Sequence, residues 1–162
     1  MKSESLLDGK RILIVDDEPD VLESLIELLP MCQVLTALSF KEGKKLLETR
    51  PFDMAILDVM GVDGYKLLEI ANERDVIAVM LTAHAKSPDQ AAKSYKEGAA
   101  SYLPKDKMRD IEIFLSDVLE AKKRGKDTWW RWLLRLADFW KNEFGPSWER
   151  GNEEFLSKLR KL

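Results

Sequence analysis

Short unbroken apolar runs recur along most of the chain, and between them the apolar positions fall into helical spacing. Arg11-Ile-Leu-Ile-Val15 is such a run, as expected of a strand buried on both faces of a sheet. Similar runs predict strands at Val34 to Ala37, Asp53 to Leu57, Val76 to Leu81 and Ala99 to Leu103. Pro19 suits the first turn of a helix that carries Leu22, Leu25, Ile26 and Leu29 and stops at Pro30. Ser39 and Glu42 form a capping box for a second helix bearing Leu46 and Leu47. Gly64 to Arg74 reads as a third helix, with Leu67, Leu68 and Ala71 facing inward. Ser87 and Gln90 make another capping box, with Pro88 at the first helical position and Gly98 as the stop. Ile111, Phe114, Leu115, Val118 and Leu119 supply the stripe of a fifth helix.

Strand and helix thus alternate up to about Lys123. That alternation implies an α/β fold: a parallel sheet with right-handed crossovers and helices on both faces. The flavodoxin-like strand order 2-1-3-4-5 fits five such units and places a ligand at the switch point beside the first and third strands.

Composition changes after Arg124-Gly125-Lys126. The C-terminal extension, residues 124–162, holds all five tryptophans: Trp129, Trp130, Trp132, Trp140 and Trp148. It carries nine Lys or Arg against six Asp or Glu, while the rest of the chain carries seventeen against twenty-three. Residues 128–143 read as an amphipathic helix beginning at Asp127 or Thr128 and broken by Gly145-Pro146. A last helix from about Asn152 places Phe155, Leu159 and Leu162 on one face. Trp129, Trp132, Leu133, Leu136 and Trp140 form a stripe that Trp130, Leu134 and Ala137 widen, and a stripe so wide wants a partner. Four partners fit: the preceding sheet domain itself, a second copy or another protein, a membrane surface reached by Arg131, Arg135 and Lys141, or DNA. The tail is short for a helix-turn-helix unit and only slightly basic.

The net charge of −3 and pI near 5.4 argue against a protein that coats nucleic acid. There is no apolar run long enough to span a membrane, and Met1 to Lys10, read as an N-terminal arm, lacks a signal core. A cytoplasmic location is therefore expected. The single cysteine, Cys32, reads as a buried free thiol at the edge of the second strand.

The chemistry lies just past the strand ends. There stand Asp16-Asp17-Glu18, Asp58, Thr82 and Lys105, which a parallel sheet gathers at one edge. Crowded carboxylates raise one another's pKa, and a hard cation such as Mg²⁺ relieves that cost. Asp17 and Asp58 are candidate ligands, with Asp16 acting through water. Asp58 is also a candidate nucleophile toward phosphorus, with Lys105 and Thr82 on the phosphoryl oxygens.

With Ile-Leu-Ile-Val-Asp16-Asp17-Glu18-Pro19, Ala55-Ile-Leu-Asp58, Val-Met-Leu-Thr82-Ala83 and Gly98-Ala-Ala-Ser-Tyr102-Leu-Pro-Lys105 in this order, the chain resembles the receiver domain of two-component response regulators over roughly residues 10–123. The resemblance implies a phosphoacceptor, Asp58, charged by a histidine kinase or phosphotransfer protein. It implies Mg²⁺ held by Asp16, Asp17, Asp58 and the backbone carbonyl of Met60. It makes Thr82 and Tyr102 switch residues and Lys105 the phosphate partner. A phosphorelay protein of this kind catalyses only its own phosphotransfer and dephosphorylation, without turnover of other substrates. Its output would pass through the last receiver helix and residues 124–162, as a homodimer or to a protein partner. His84 reads either as a loop residue without a role or as a residue at the site mouth that tunes dephosphorylation. The chain departs from the family's pattern in two places. Its Asp58-Val-Met-Gly61-Val-Asp63-Gly64 loop is about two residues shorter than usual, and Asp106 follows Lys105 where the family commonly has proline after a cis bond. Three readings compete: a phosphate-blind scaffold or dimerisation module acting through the tail, a Mg²⁺-dependent phosphatase, and a DNA-binding regulator. The phosphatase usually needs a second acid where Met60 stands.

Overall fold

The computed structural model describes residues 5–83 and 88–162. Five strands form one parallel sheet: β1 (Arg11–Val15), β2 (Gln33–Ala37), β3 (Met54–Asp58), β4 (Ile77–Thr82) and β5 (Ser101–Pro104). Their order is β2-β1-β3-β4-β5, the doubly wound order expected from the alternation. Five helices connect them: α1 (Pro19–Leu28), α2 (Phe40–Thr49), α3 (Gly64–Glu73), α4 (Asp89–Lys96) and, after a 3₁₀ segment over Lys105–Asp110, α5 (Ile111–Arg124). Helix α1 packs with α5 on one face. Helix α2 packs with α3 on the other, and Tyr65 of α3 reaches Gln90 and Ser94 of α4.

The apolar runs are buried as their composition requires. Ile12 to Val15 and Met54 to Leu57 are wholly inaccessible, and the core continues through Ala78, Val79, Met80 and Leu81. At helix α2, the Ser39 side chain accepts from the Glu42 backbone N–H at 3.2 Å. The Glu42 carboxylate turns back to Leu38 N, one residue beyond the expected partner, so the cap is a looser form of the box.

Several boundaries differ from the pattern-based ones. Asp53 stands before β3, because its carboxylate accepts from Arg11 N at 2.8 Å and fixes the strand's entry. Strand β3 then runs through Asp58 and β4 through Thr82, so both polar residues are the last members of strands instead of the first members of loops. β5 starts at Ser101, since Ala99 N still bonds Ser94 O behind helix α4. Pro88 is the residue before α4, and its partner Ser87 lies outside the described residues. The Gln90 side-chain oxygen accepts from the Tyr102 hydroxyl. The Lys105–Asp106 peptide bond is trans.

Beyond α5, whose C-terminus is closed by Gly125 at φ 68°, the tail forms α6 (Trp132–Phe144) and α7 (Glu153–Arg160). Helix α6 begins four residues later than Thr128, the expected start. Asp127 Oδ1 takes the Trp129 N–H at 2.8 Å and its carbonyl takes Trp130 N, which holds Trp129 and Trp130 in a turn. The tail folds back on the sheet domain. Trp129, Trp132, Leu136, Trp140, Trp148, Phe155, Leu156 and Leu159 are all buried. The widened stripe is narrower than expected: Leu134 is 81% exposed and Leu162 is 42% exposed, and Leu156 takes the inward place on α7. Arg131 and Arg135 are tied to Asp117 of α5 and the tryptophan stripe faces inward, which removes the arrangement a membrane-surface helix needs. Among the described residues no helix is long and apolar enough to cross a membrane.

Candidate functional site: an acidic triad and a lysine at the sheet edge

The switch point of the sheet lies between β1 and β3, where Val15 pairs with Leu57. Asp16 is the first residue past β1. Its N–H bonds Ala37 O, which fixes the carboxylate under the sheet edge, and its Oδ1 accepts from Glu18 N at 2.9 Å. Asp58 ends β3 one strand away. Asp16, Asp17 and Asp58 each offer a carboxylate oxygen, and these oxygens lie within 4.8 Å of one another. Asp16 is fully buried and Asp58 nearly so, while Asp17 is exposed.

Lys105 follows β5 and brings the balancing charge. Its Nζ lies 2.8 Å from Asp16 Oδ2, 3.1 Å from Glu18 Oε2 and 3.4 Å from Asp58 Oδ1. Burial alone would lower the lysine's pKa, but its contacts with Asp16, Asp58 and Glu18 outweigh burial and raise it. Asp58 behaves oppositely. Burial and the neighbouring Asp16 push its carboxyl up to about 7, against the pull of Lys105. One ammonium therefore does not neutralise the cluster.

The donor set fits a hard cation. Among the described residues the side chains gathered here, Asp16, Asp17 and Asp58, all offer carboxylate oxygens. Apart from the Lys105 ammonium at 2.8 Å, the buried Asp16 Oδ2 has no hydrogen-bond partner among the described residues. A carboxylate oxygen that relies on one ammonium alone can also face a metal cation.

Two glycines shape the short turn after β3. Gly61 has φ +82°, and a β-carbon there would collide with the Asp17 carboxylate. A β-carbon on Gly64 would collide with the backbone carbonyl of Asp58. The Met60 side chain between them is 59% exposed. Thr82, buried at the end of β4, sits on the strand beside Asp58, whose register partner is Leu81. Tyr102 is not among the acidic residues. It lies in mid-β5, fully buried, with its hydroxyl donating to Gln90 Oε1 at 2.9 Å. His84 falls outside the described residues.

The sequence pattern counted Glu18 in the acidic cluster without foreseeing its pairing with Lys105, gave Gln90 only a capping role, and assigned none to Gly61 or Asp117. Asp117 carries a signal in hindsight: an acid within the apolar stripe of α5, followed by Arg131 and Arg135 one helical turn apart.

A family model for the response regulator receiver domain matches residues 12–114. Two-component response regulator ARR18 of Arabidopsis thaliana is 40% identical over 104 residues, 60% of this chain and 16% of that protein. ARR10 of the same plant is 35% identical over 127 residues, 74% of this chain and 23% of that protein. The chain thus spans less than a quarter of the length of either relative. Among solved structures, a CheY-like receiver domain protein from Methanospirillum hungatei superposes with a TM-score of 0.64 at 29% identity, covering 73% of this chain and 99% of that one. A Burkholderia pseudomallei response regulator, solved with a phosphorylated aspartic acid, a calcium ion and citrate, gives a TM-score of 0.54 at 26% identity and covers 60% of each chain. Fold, edge chemistry and these likenesses converge: the chain belongs to the response regulator receiver domain family.

Proposed function

We propose that Asp58 is the phosphoacceptor of a two-component phosphorelay, charged by a histidine kinase or a histidine phosphotransfer protein. One observation carries this reading: Lys105 Nζ bridges Asp16 and Asp58 at 2.8 and 3.4 Å, and with Asp17 these carboxylates have oxygens within 4.8 Å of one another. The phosphorylated aspartate and the cation in the Burkholderia relative's structure support it.

In the transfer, an Asp58 carboxylate oxygen attacks phosphorus. The P–N bond of the donor phosphohistidine breaks, and its electron pair leaves with the imidazole nitrogen. Lys105 offers its ammonium to a phosphoryl oxygen, and Thr82 donates its hydroxyl to another. Asp16, Asp17 and Asp58, with the Met60 carbonyl, would hold Mg²⁺, which when bound withdraws charge from carboxylate and phosphoryl oxygens alike. Residues 11–123 form the receiving unit, residues 1–10 its N-terminal arm, and residues 124–162 the segment that senses its state. The protein acts on no substrate other than its own phosphoryl group. A phosphatase reading gains nothing from Met60, an exposed thioether where a second acid would be needed.

The test is incubation with acetyl phosphate and Mg²⁺ followed by intact mass. The expected product carries one phosphoryl group labile to hydroxylamine, absent from Asp58→Asn and absent without the cation. Labelling that survives Asp58→Asn overturns the assignment.

A further inference from the structure

Strand β5 ends the sheet, yet all four of its residues are buried. Residues of the tail cover it. Trp129 Nε1 donates to Ala99 O at 2.8 Å, and Trp132 Nε1 donates to Tyr102 O at 2.7 Å. Trp140 stacks on the Tyr102 ring at 6.2 Å, and Trp132 meets it edge-on at 6.5 Å. To either side, Tyr95 of α4 contacts Trp129 and Phe155, and Asp117 of α5 binds Arg135 through two hydrogen bonds. The tail therefore spans α4, β5 and α5 as one continuous contact.

The same short strand reaches the site. Tyr102 lies three residues before Lys105, whose ammonium is shared among Asp16, Glu18 and Asp58. The Tyr102 hydroxyl is held by Gln90, and Thr82 lies near enough to offset part of the pKa rise that burial causes. Tyr102 is thus satisfied at hydroxyl, ring and carbonyl while the tail is docked and Asp58 is unmodified. A phosphoryl group on Asp58 would give Lys105 and Thr82 new partners. Well-packed contacts switch between discrete arrangements instead of stretching, so that change disfavours the packing seen here.

We propose that residues 127–160 are a built-in occupant of the α4–β5–α5 face, and that filling the Asp58 site loosens this occupant through β5 and Tyr102. The proposal rests on the phosphoacceptor reading and adds its regulation. The docked tail keeps the face closed to other partners, and by linkage it opposes filling of the site to the same extent. All five tryptophans report on it directly.

The experiment uses the full chain with beryllofluoride and Mg²⁺. Binding is followed by fluorine NMR, tail docking by tryptophan emission and by amide exchange over residues 127–160. We expect a red-shifted emission and at least fivefold faster exchange on binding, absent in Asp58→Asn. Two mild variants test the reverse direction. Trp132→Phe keeps a ring but loses the bond to Tyr102 O. Arg135→Gln weakens docking at Asp117, away from Tyr102. Both should bind beryllofluoride about fivefold more tightly. Binding at Asp58 with unchanged tail emission and exchange overturns the coupling and leaves the phosphoacceptor reading intact. Weaker binding by both variants overturns it too, since the tail would then assist the site. No binding at all removes both readings.

Discussion

Asp58 is the residue on which opposing demands meet. Its carboxyl is pushed up to about 7 by burial and by Asp16, far above the ordinary aspartate range of an unfolded chain. The folded protein therefore holds this proton more tightly than the unfolded one. The associated stability is full below about pH 4 and is lost as pH rises through about 7. In EDTA, denaturant midpoints should fall between pH 5 and pH 8, and Asp58→Asn should flatten that slope and stabilise the protein at pH 8 by on the order of 2 kcal/mol, about half the full shift once solvent screening is allowed for. A midpoint that does not fall across this range would mean that the Asp58 charge is already compensated. Asp16, Asp58, Thr82 and Lys105 could be read from sequence because each interrupts or ends an apolar run where a parallel sheet gathers strand ends. Asp117 could not, because its partners lie in another segment and no local pattern links an acid to arginines 14 and 18 positions away. Cys32 behaves as a plain thiol. It is half-buried where the sequence suggested full burial; burial, Asp8 and Glu112 push it up to about 11, and its Sγ donates to Leu7 O, both of which favour the protonated thiol.

At the scale of elements, the strands extend further than their apolar letters. Asp58 and Thr82 keep β-ladder pairing at the last position, which makes them better anchored than loop residues would be. Apolar patterning does not register this, because a polar residue ends a run by letter even when its backbone continues the ladder. Helix α6 shows the converse error. The tryptophan spacing suggests one helix from Thr128, but the Asp127 side chain captures Trp129 N and delays the start. The turn after β3 is the most constrained connection. Gly61→Ala must both adopt a left-handed backbone and displace the Asp17 carboxylate. We expect a loss of about 1 kcal/mol in stability and a larger, roughly tenfold, loss in Mg²⁺ affinity from the lost ligand geometry, measured by denaturation and by calorimetric titration. Equal losses in both would assign the glycine to folding alone.

For the whole molecule, the parallel sheet was legible from alternation and its order from the flavodoxin-like pattern that five such units fit, whereas the place of the tail was not. Its stripe predicted burial without saying against what, since sheet domain, second copy and membrane all satisfy the same apolar pattern. In the structure the stripe lies on the sheet domain, held by indole N–H bonds to Ala99 and Tyr102, contacts between backbone and side chain that leave no periodic trace. Removing residues 126–162 should uncover Tyr102, Tyr95 and the outer side of β5. A chain ending at Gly125 is expected to melt several degrees lower and to self-associate at micromolar concentration, as read by light scattering. A monomer of unchanged melting temperature would show that the tail adds nothing to the sheet domain's core.

The roofing of β5 has one more effect. An open sheet normally has two margins at which a foreign strand can add, and both invite fibrous assembly. Here the aromatic roof seals one of them. The exposed Gln33 and Leu35 on β2 mark the other, so any strand-by-strand growth from the native protein has a single place to start.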